Sequence, residues 1–285
     1  MRLVRYNDNR VGLVVDGHIR DCTAALDALP QWRYPLPKFD PLIANLDKLR
    51  PALEAEAQKR PPLPVDRVTL LSPVASPGKL IAAPVNYRKH LEEVLADKQI
   101  HHGNLINEIH RAGLFLKATS ALVGPGEGVR LVHTDRRNDH EVELAVVIGR
   151  EARGVKAADA LKYVAGYAIG LDMTIRGPEE RSYRKSPDSY AVLGPWLVTP
   201  DELPNPSGLR LTIAVNGETR QDANTEDFVI DVPGLIEMAS NFYTLHPGDV
   251  IYTGTPQGVG SVKPGDTMVA AIEGIGSMTV AVGAA

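Results

Sequence analysis

The chain has 285 residues, with 31 Lys and Arg against 35 Asp and Glu, for a formal net charge of −4. That length leaves room for about two domains, and 44% hydrophobic with 23% charged residues excludes global disorder. A slightly acidic chain lacks the basic face that a phosphate backbone selects, so a nucleic-acid partner is not expected.

Membrane and compartment signals are equally plain. A spanning helix needs about 20 apolar residues, and the longest charge-free stretch, 250–262, is shorter and broken by Gly and Pro. The start, MRLVRYNDNRVG, has no apolar leader core. A single cysteine, Cys22, cannot pair internally and suits a reducing, cytoplasmic setting.

In chain order, strands are predicted at 2–6, 11–15 and 18–22, with Asp16-Gly17 as a hairpin turn. A helix follows over 41–59, with Asp40 as N-cap, Pro41 in the first turn, and Leu42, Ile43, Leu46, Leu49 and Leu53 on one face. Pro61, Pro62 and Pro64 stiffen a connector, dividing a small N-terminal α/β module, 1–70, from a larger domain, 71–285. Strands are predicted at 67–71, 79–83, 141–148, 167–171, 196–198, 209–215, 249–252, 268–272 and 278–282, with helices at 90–97, 157–163 and 232–240. Asn216-Gly217 reads as a type I′ turn, and two Pro-Gly-Asp turns, at 247–249 and 264–266, each launch a strand. The pattern is α+β and β-dominated, without regular β-α-β alternation.

Three features could carry chemistry. Glu141 and Glu143 share one face of a strand, about 7 Å apart, opposite Val142, Leu144, Val146 and Ile148. Asp172 ends a run that is apolar on both faces, where a carboxylate must cap, pair or bind metal. Three carboxylates without Cys or His suit a hard cation, Mg²⁺ or Mn²⁺, with Ca²⁺ as a substitute. A solvated edge strand and an Asp cap remain open on spacing alone. His90 and Glu93, at i and i+3, form a pair that could activate water or merely decorate an exposed helix. Lys117, Arg176 and Lys185 each read as surface cations in isolation, and Thr255 as part of a turn. His101, His102, Glu108 and His110 lack any standard zinc spacing. Serine-hydrolase, Walker A and dinucleotide motifs are absent.

Eight segments in order are similar to the fumarylacetoacetate hydrolase family: 85–90 (VNYRKH), 115–125 (FLKATSALVGP), 139–149 (DHEVELAVVIG), 166–174 (GYAIGLDMT), 193–196 (LGPW), 216–222 (NGETRQD), 245–249 (LHPGD) and 253–260 (TGTPQGVG). That resemblance implies a mixed β-sandwich roll, usually a homodimer, and a Mg²⁺ or Mn²⁺ ion held by Glu141, Glu143 and Asp172. It assigns His90 and Glu93 to water activation, and Lys185 to holding substrate and its enolate. Arg176, Thr255, Lys117 and Tyr87 become substrate-binding positions. It implies C–C bond hydrolysis in an acylpyruvate or related 2,4-dioxo acid, under a lid over 86–112. Decarboxylation, hydration or isomerisation of a 2-oxo acid, and a non-catalytic binding protein on the same fold, are the other readings. Glu179 stands where many members carry a neutral amide, which would disfavour an anionic substrate tail nearby.

Overall fold

A computed structural model describes residues 1–102 and 108–285. Three sheets organise the described residues. The largest runs, strand by strand, Leu63–Pro64, His18–Asp21, Arg10–Val15, Arg2–Tyr6, Ala191–Val198, Val164–Asp172, Val142–Ile148, Val250–Tyr252, Leu80–Ala82 and Phe115–Lys117. Its order ties the start of the chain to a strand nearly 190 residues later. Arg2–Tyr6 pairs antiparallel with Ala191–Val198, with Arg2 opposite Val198, so the first strands extend the central sheet. A five-stranded sheet built from Arg210–Val215, Glu218–Asn224, Thr267–Ile272, Gly276–Ala284 and Val129–Leu131 supplies a second layer. The β-dominated α+β class is therefore observed.

The central strands bury both faces. Val142, Leu144, Val146 and Ile148 enter one apolar cluster, Ala145 and Val147 another. This removes the solvated-edge reading of 141–148, because a strand flanked by Val164–Asp172 and Val250–Tyr252 has no free edge. Gly170 faces Glu143 across the ladder, and a Cβ there would meet the Tyr252 ring at 2.7 Å.

Local chemistry explains most element ends. Asn216 and Gly217 both take positive φ, 51° and 85°, as the type I′ turn requires. The Asp40 side chain accepts from the Leu42 and Ile43 amides. The predicted helix over 41–59 divides at Asn45 into Pro41–Ala44 and Leu46–Lys59, because Asn45 leaves helical geometry at φ −113°, ψ 10°. The strand predicted at 67–71 shrinks to Leu70–Leu71 after a 3₁₀ turn at Val65–Arg67, while that at 196–198 grows to Ala191–Val198. No helix among the described residues is long and apolar enough to cross a membrane.

Cys22 is buried in the N-terminal core, and burial pushes its thiol up to about 12. Native protein at pH 8 is therefore expected to resist Ellman's reagent until it unfolds. Labelling of native protein at the rate of a free thiol would contradict this packing.

Candidate active site

Sheet register brings the three carboxylates together. Glu141 precedes the strand Val142–Ile148, and its carbonyl accepts from the Asp172 amide at 2.9 Å. Glu143 lies one ladder step further, on the same side. One oxygen from each of Glu141, Glu143 and Asp172 lies within 4.8 Å of the others, and all three residues are buried. Among the described residues this is the group that could hold a metal ion. The reading of Asp172 as a simple turn cap is thereby superseded.

Two lysines and an arginine hold this negative charge. Lys185 Nζ donates to Glu141 at 2.6 Å and to Asp172 at 2.7 Å. Lys117 Nζ donates to Asp172 and to the Tyr190 carbonyl. Arg176 bridges Asp139 and Glu141, both at 2.8 Å. None of the three is a surface cation, because each answers a buried carboxylate that would otherwise be uncompensated.

The balance differs sharply between the two glutamates. Burial opposes ionisation of Glu141, but Lys185, Arg176 and His90 outweigh it and hold its carboxyl well below the usual range. Glu143 has no ion-pair partner among the described residues, and its carboxylate accepts from the Gly254 amide at 2.7 Å. Burial, with Asp172 beside it, pushes Glu143 well above the ordinary carboxyl range. An all-oxygen donor set with one uncompensated acid fits a hard divalent cation and does not fit a thiophilic one.

His90 and Glu93 share a face of the helix Arg88–Ala96, and His90 Nδ1 lies 2.8 Å from Glu93 Oε2. Glu93 is itself fixed, because its other oxygen accepts from the Gly258 amide at 2.9 Å. Asn86 anchors the start of this segment, donating to the Ile230 and Thr253 carbonyls and accepting from the Ile230 amide. Just before it, Val85 holds φ +47°, a left-handed conformation that a β-branched residue adopts only at a cost.

Several of these groups open on one cavity of about 290 Å³, whose walls do not include Asp172 or Glu93. Its walls include His90, Glu141, Glu143, Arg176, Lys185 and Thr255. Thr255 donates to the Val142 carbonyl at 3.0 Å and accepts from Gln221 at 2.8 Å, leaving one lone pair for the cavity. Lys117 and Tyr87 are not among its walls. Tyr87 packs edge-on against Phe228 in the core, its buried hydroxyl without a hydrogen-bond partner among the described residues, and Lys117 lies behind Asp172.

Of the histidines between His90 and Lys117, His101 lines the cavity and His102 faces a separate surface groove. Residues 103–107 of the expected lid lie outside the described residues. Sequence reading missed Asp139, which fixes Arg176, and Gln221, whose amide ties His140, Val142 and Thr255 together. It also missed Arg136, which grips Glu179 through two hydrogen bonds at 3.0 and 2.8 Å.

Known proteins are similar to this chain in sequence and fold. Residues 79–283 match the model of the fumarylacetoacetate hydrolase C-terminal family. A maleylpyruvate hydrolase of Aquipseudomonas alcaligenes is 58% identical over 284 residues, 99% of either chain. Rat mitochondrial oxaloacetate tautomerase is 36% identical, over 79% of this chain and 72% of that one. The crystal structure of maleylpyruvate hydrolase from Sphingobium sp. SYK-6, in complex with manganese(II) and pyruvate, superposes with a TM-score of 0.84. It is 40% identical, covering 100% of this chain and 99% of that one. With a family model spanning most of its length and relatives matching from end to end, the chain belongs to the fumarylacetoacetate hydrolase family.

Proposed function

We propose that the chain is a divalent-metal-dependent hydrolase that cleaves the C3–C4 bond of an acylpyruvate of the maleylpyruvate type. The observation that carries this reading is that His90, paired with Glu93, lines the same cavity as Glu141 and Glu143 of the buried carboxylate cluster. Its likeness to two maleylpyruvate hydrolases supports the substrate class.

Glu141, Glu143 and Asp172 are the residues that would hold Mg²⁺ or Mn²⁺. When bound, such a cation supplies Lewis-acid charge to the oxygens of a 2-oxo acid. Everything else falls to side chains. Glu93 holds the proton on His90 Nδ1, so Nε2, which has no protein partner among the described residues, is the basic nitrogen. His90 takes a proton from water as the oxygen attacks C4. Lys185, already bridging Glu141 and Asp172, is placed to meet the charge that develops on the 2-oxo oxygen as C3–C4 breaks. Protonation at C3 then gives pyruvate, and C4 leaves as a carboxylic acid. Arg176 and Thr255 shape the wall and set Glu141 and the adjoining strand.

The His90–Glu93 pair favours hydrolysis over decarboxylation, which needs no activated water, and the likeness to maleylpyruvate hydrolases favours it over tautomerisation. The same reading makes the protein a homodimer, as is usual in this family. A single cysteine with no disulfide partner supports a reducing, cytoplasmic setting. After EDTA treatment the protein is expected to be inert toward maleylpyruvate. Added Mn²⁺ or Mg²⁺ restores release of pyruvate and maleate in equal amounts. Metal-independent cleavage, or carbon dioxide from oxaloacetate as the only product of a substrate panel, would overturn the proposal.

A further inference from the structure

One cavity cation has neither a role in that mechanism nor a hydrogen bond among the described residues. Arg181 opens the short helix Arg181–Lys185 and lines the same cavity as His90 and Lys185. Its neighbours are all engaged. Lys185 serves Glu141 and Asp172, and Arg176 serves Asp139 and Glu141. Arg184 donates to the Glu179 and Ile175 carbonyls. Arg181 receives no hydrogen bond or ion pair from any described residue, and its guanidinium rests on Phe115, 5.4 Å from the ring centroid. Lys185 Nζ stands 5.7 Å from the centroid of the same ring. The guanidinium and the ammonium that bridges Glu141 and Asp172 thus lie near the same aromatic ring.

The nearby acids form no ion pair with it among the described residues, although Glu180 beside it offsets part of its charge. Glu179 is gripped by both terminal nitrogens of Arg136. That pair answers the expectation that Glu179 repels an anionic tail, since its charge is already met. Glu180 turns one oxygen back to the Ser182 amide at 2.6 Å. A guanidinium drawn out of water without an anion is unfavourable until one arrives, and its planar donor fork matches a carboxylate.

Resting on the acylpyruvate hydrolase reading, we infer that Arg181 binds the terminal carboxylate of a dicarboxylic acylpyruvate and selects diacids over monoacids. The test compares kcat/KM for maleylpyruvate and for acetylpyruvate, which lacks the second carboxylate, in the parent and in Arg181→Gln. The variant is expected to reduce the diacid-to-monoacid ratio about 10- to 100-fold, the scale of one charged hydrogen-bond pair. Arg181→Lys, which keeps the charge and loses the fork, recovers part of that ratio. Calorimetric binding of maleate against acetate reads the same anion site without turnover, and Arg181→Gln should weaken maleate alone. An unchanged ratio, or an unchanged preference for maleate, overturns the assignment. A parent that binds maleate through Arg181 yet cleaves neither acid keeps the anion site and removes the hydrolase reading.

Discussion

Glu143→Gln is expected to separate stability from function. The metal-free variant melts at a higher temperature than the parent, while Mn²⁺ binding and turnover are lost. Both results share one cause, because Glu143 is a buried acid beside Asp172 and Glu141 with no ion-pair partner among the described residues. Its folded-state pKa is raised, so the folded protein favours the neutral acid. Stability from this group is complete below the ordinary carboxyl range and is lost as pH climbs toward the raised value. Glutamine cannot ionise and keeps an oxygen for the Gly254 amide. In EDTA, the melting-temperature gap between variant and parent should therefore widen from pH 5 to pH 8. Affinity for Mn²⁺ should fall by more than the roughly 10- to 100-fold that loss of an outer partner costs. Equal melting temperatures at both pH values, or Mn²⁺ binding like the parent's, would remove Glu143 from the centre.

His90→Ala should cost about 10²- to 10⁴-fold in kcat, the usual worth of a positioned general base. Mn²⁺ affinity should stay within about threefold of the parent, well inside the effect of losing even an outer partner. The helix Arg88–Ala96 places His90 across the cavity from the carboxylates and not among them. Glu93→Gln should fall between parent and His90→Ala, since it leaves the imidazole in place and weakens only its orientation. Steady-state kinetics with calorimetric Mn²⁺ titration reads both quantities. A kcat loss below tenfold, or one that follows metal affinity, would contradict the role given to His90.

Much of the carboxylate cluster was legible because it rests on local rules. Strand alternation puts Glu141 and Glu143 on one side, and a run apolar on both faces announces that Asp172 ends a buried strand. The His90–Glu93 pair is likewise a helical i, i+3 spacing. Long-range partners were not legible. Lys117 meets Asp172 55 residues later, so no window around Phe-Leu-Lys shows that its ammonium is buried. Gln221 sits in a hairpin whose neighbours Arg220 and Asp222 are exposed, and only tertiary packing turns its amide inward. Glu179 looks like a free acid until Arg136, 43 residues earlier, closes on it. The pairing of Arg2–Tyr6 with Ala191–Val198 carries no sequence sign at all, because register between distant strands is set by the assembled sheet.

The most direct test of the account is an anomalous difference map, at the manganese edge, from crystals grown with Mn²⁺ and pyruvate. One strong peak is expected among the carboxylates of Glu141, Glu143 and Asp172, with pyruvate density on the side of Lys185. A peak at His101, Glu108 or His110 with none at the three carboxylates would contradict it.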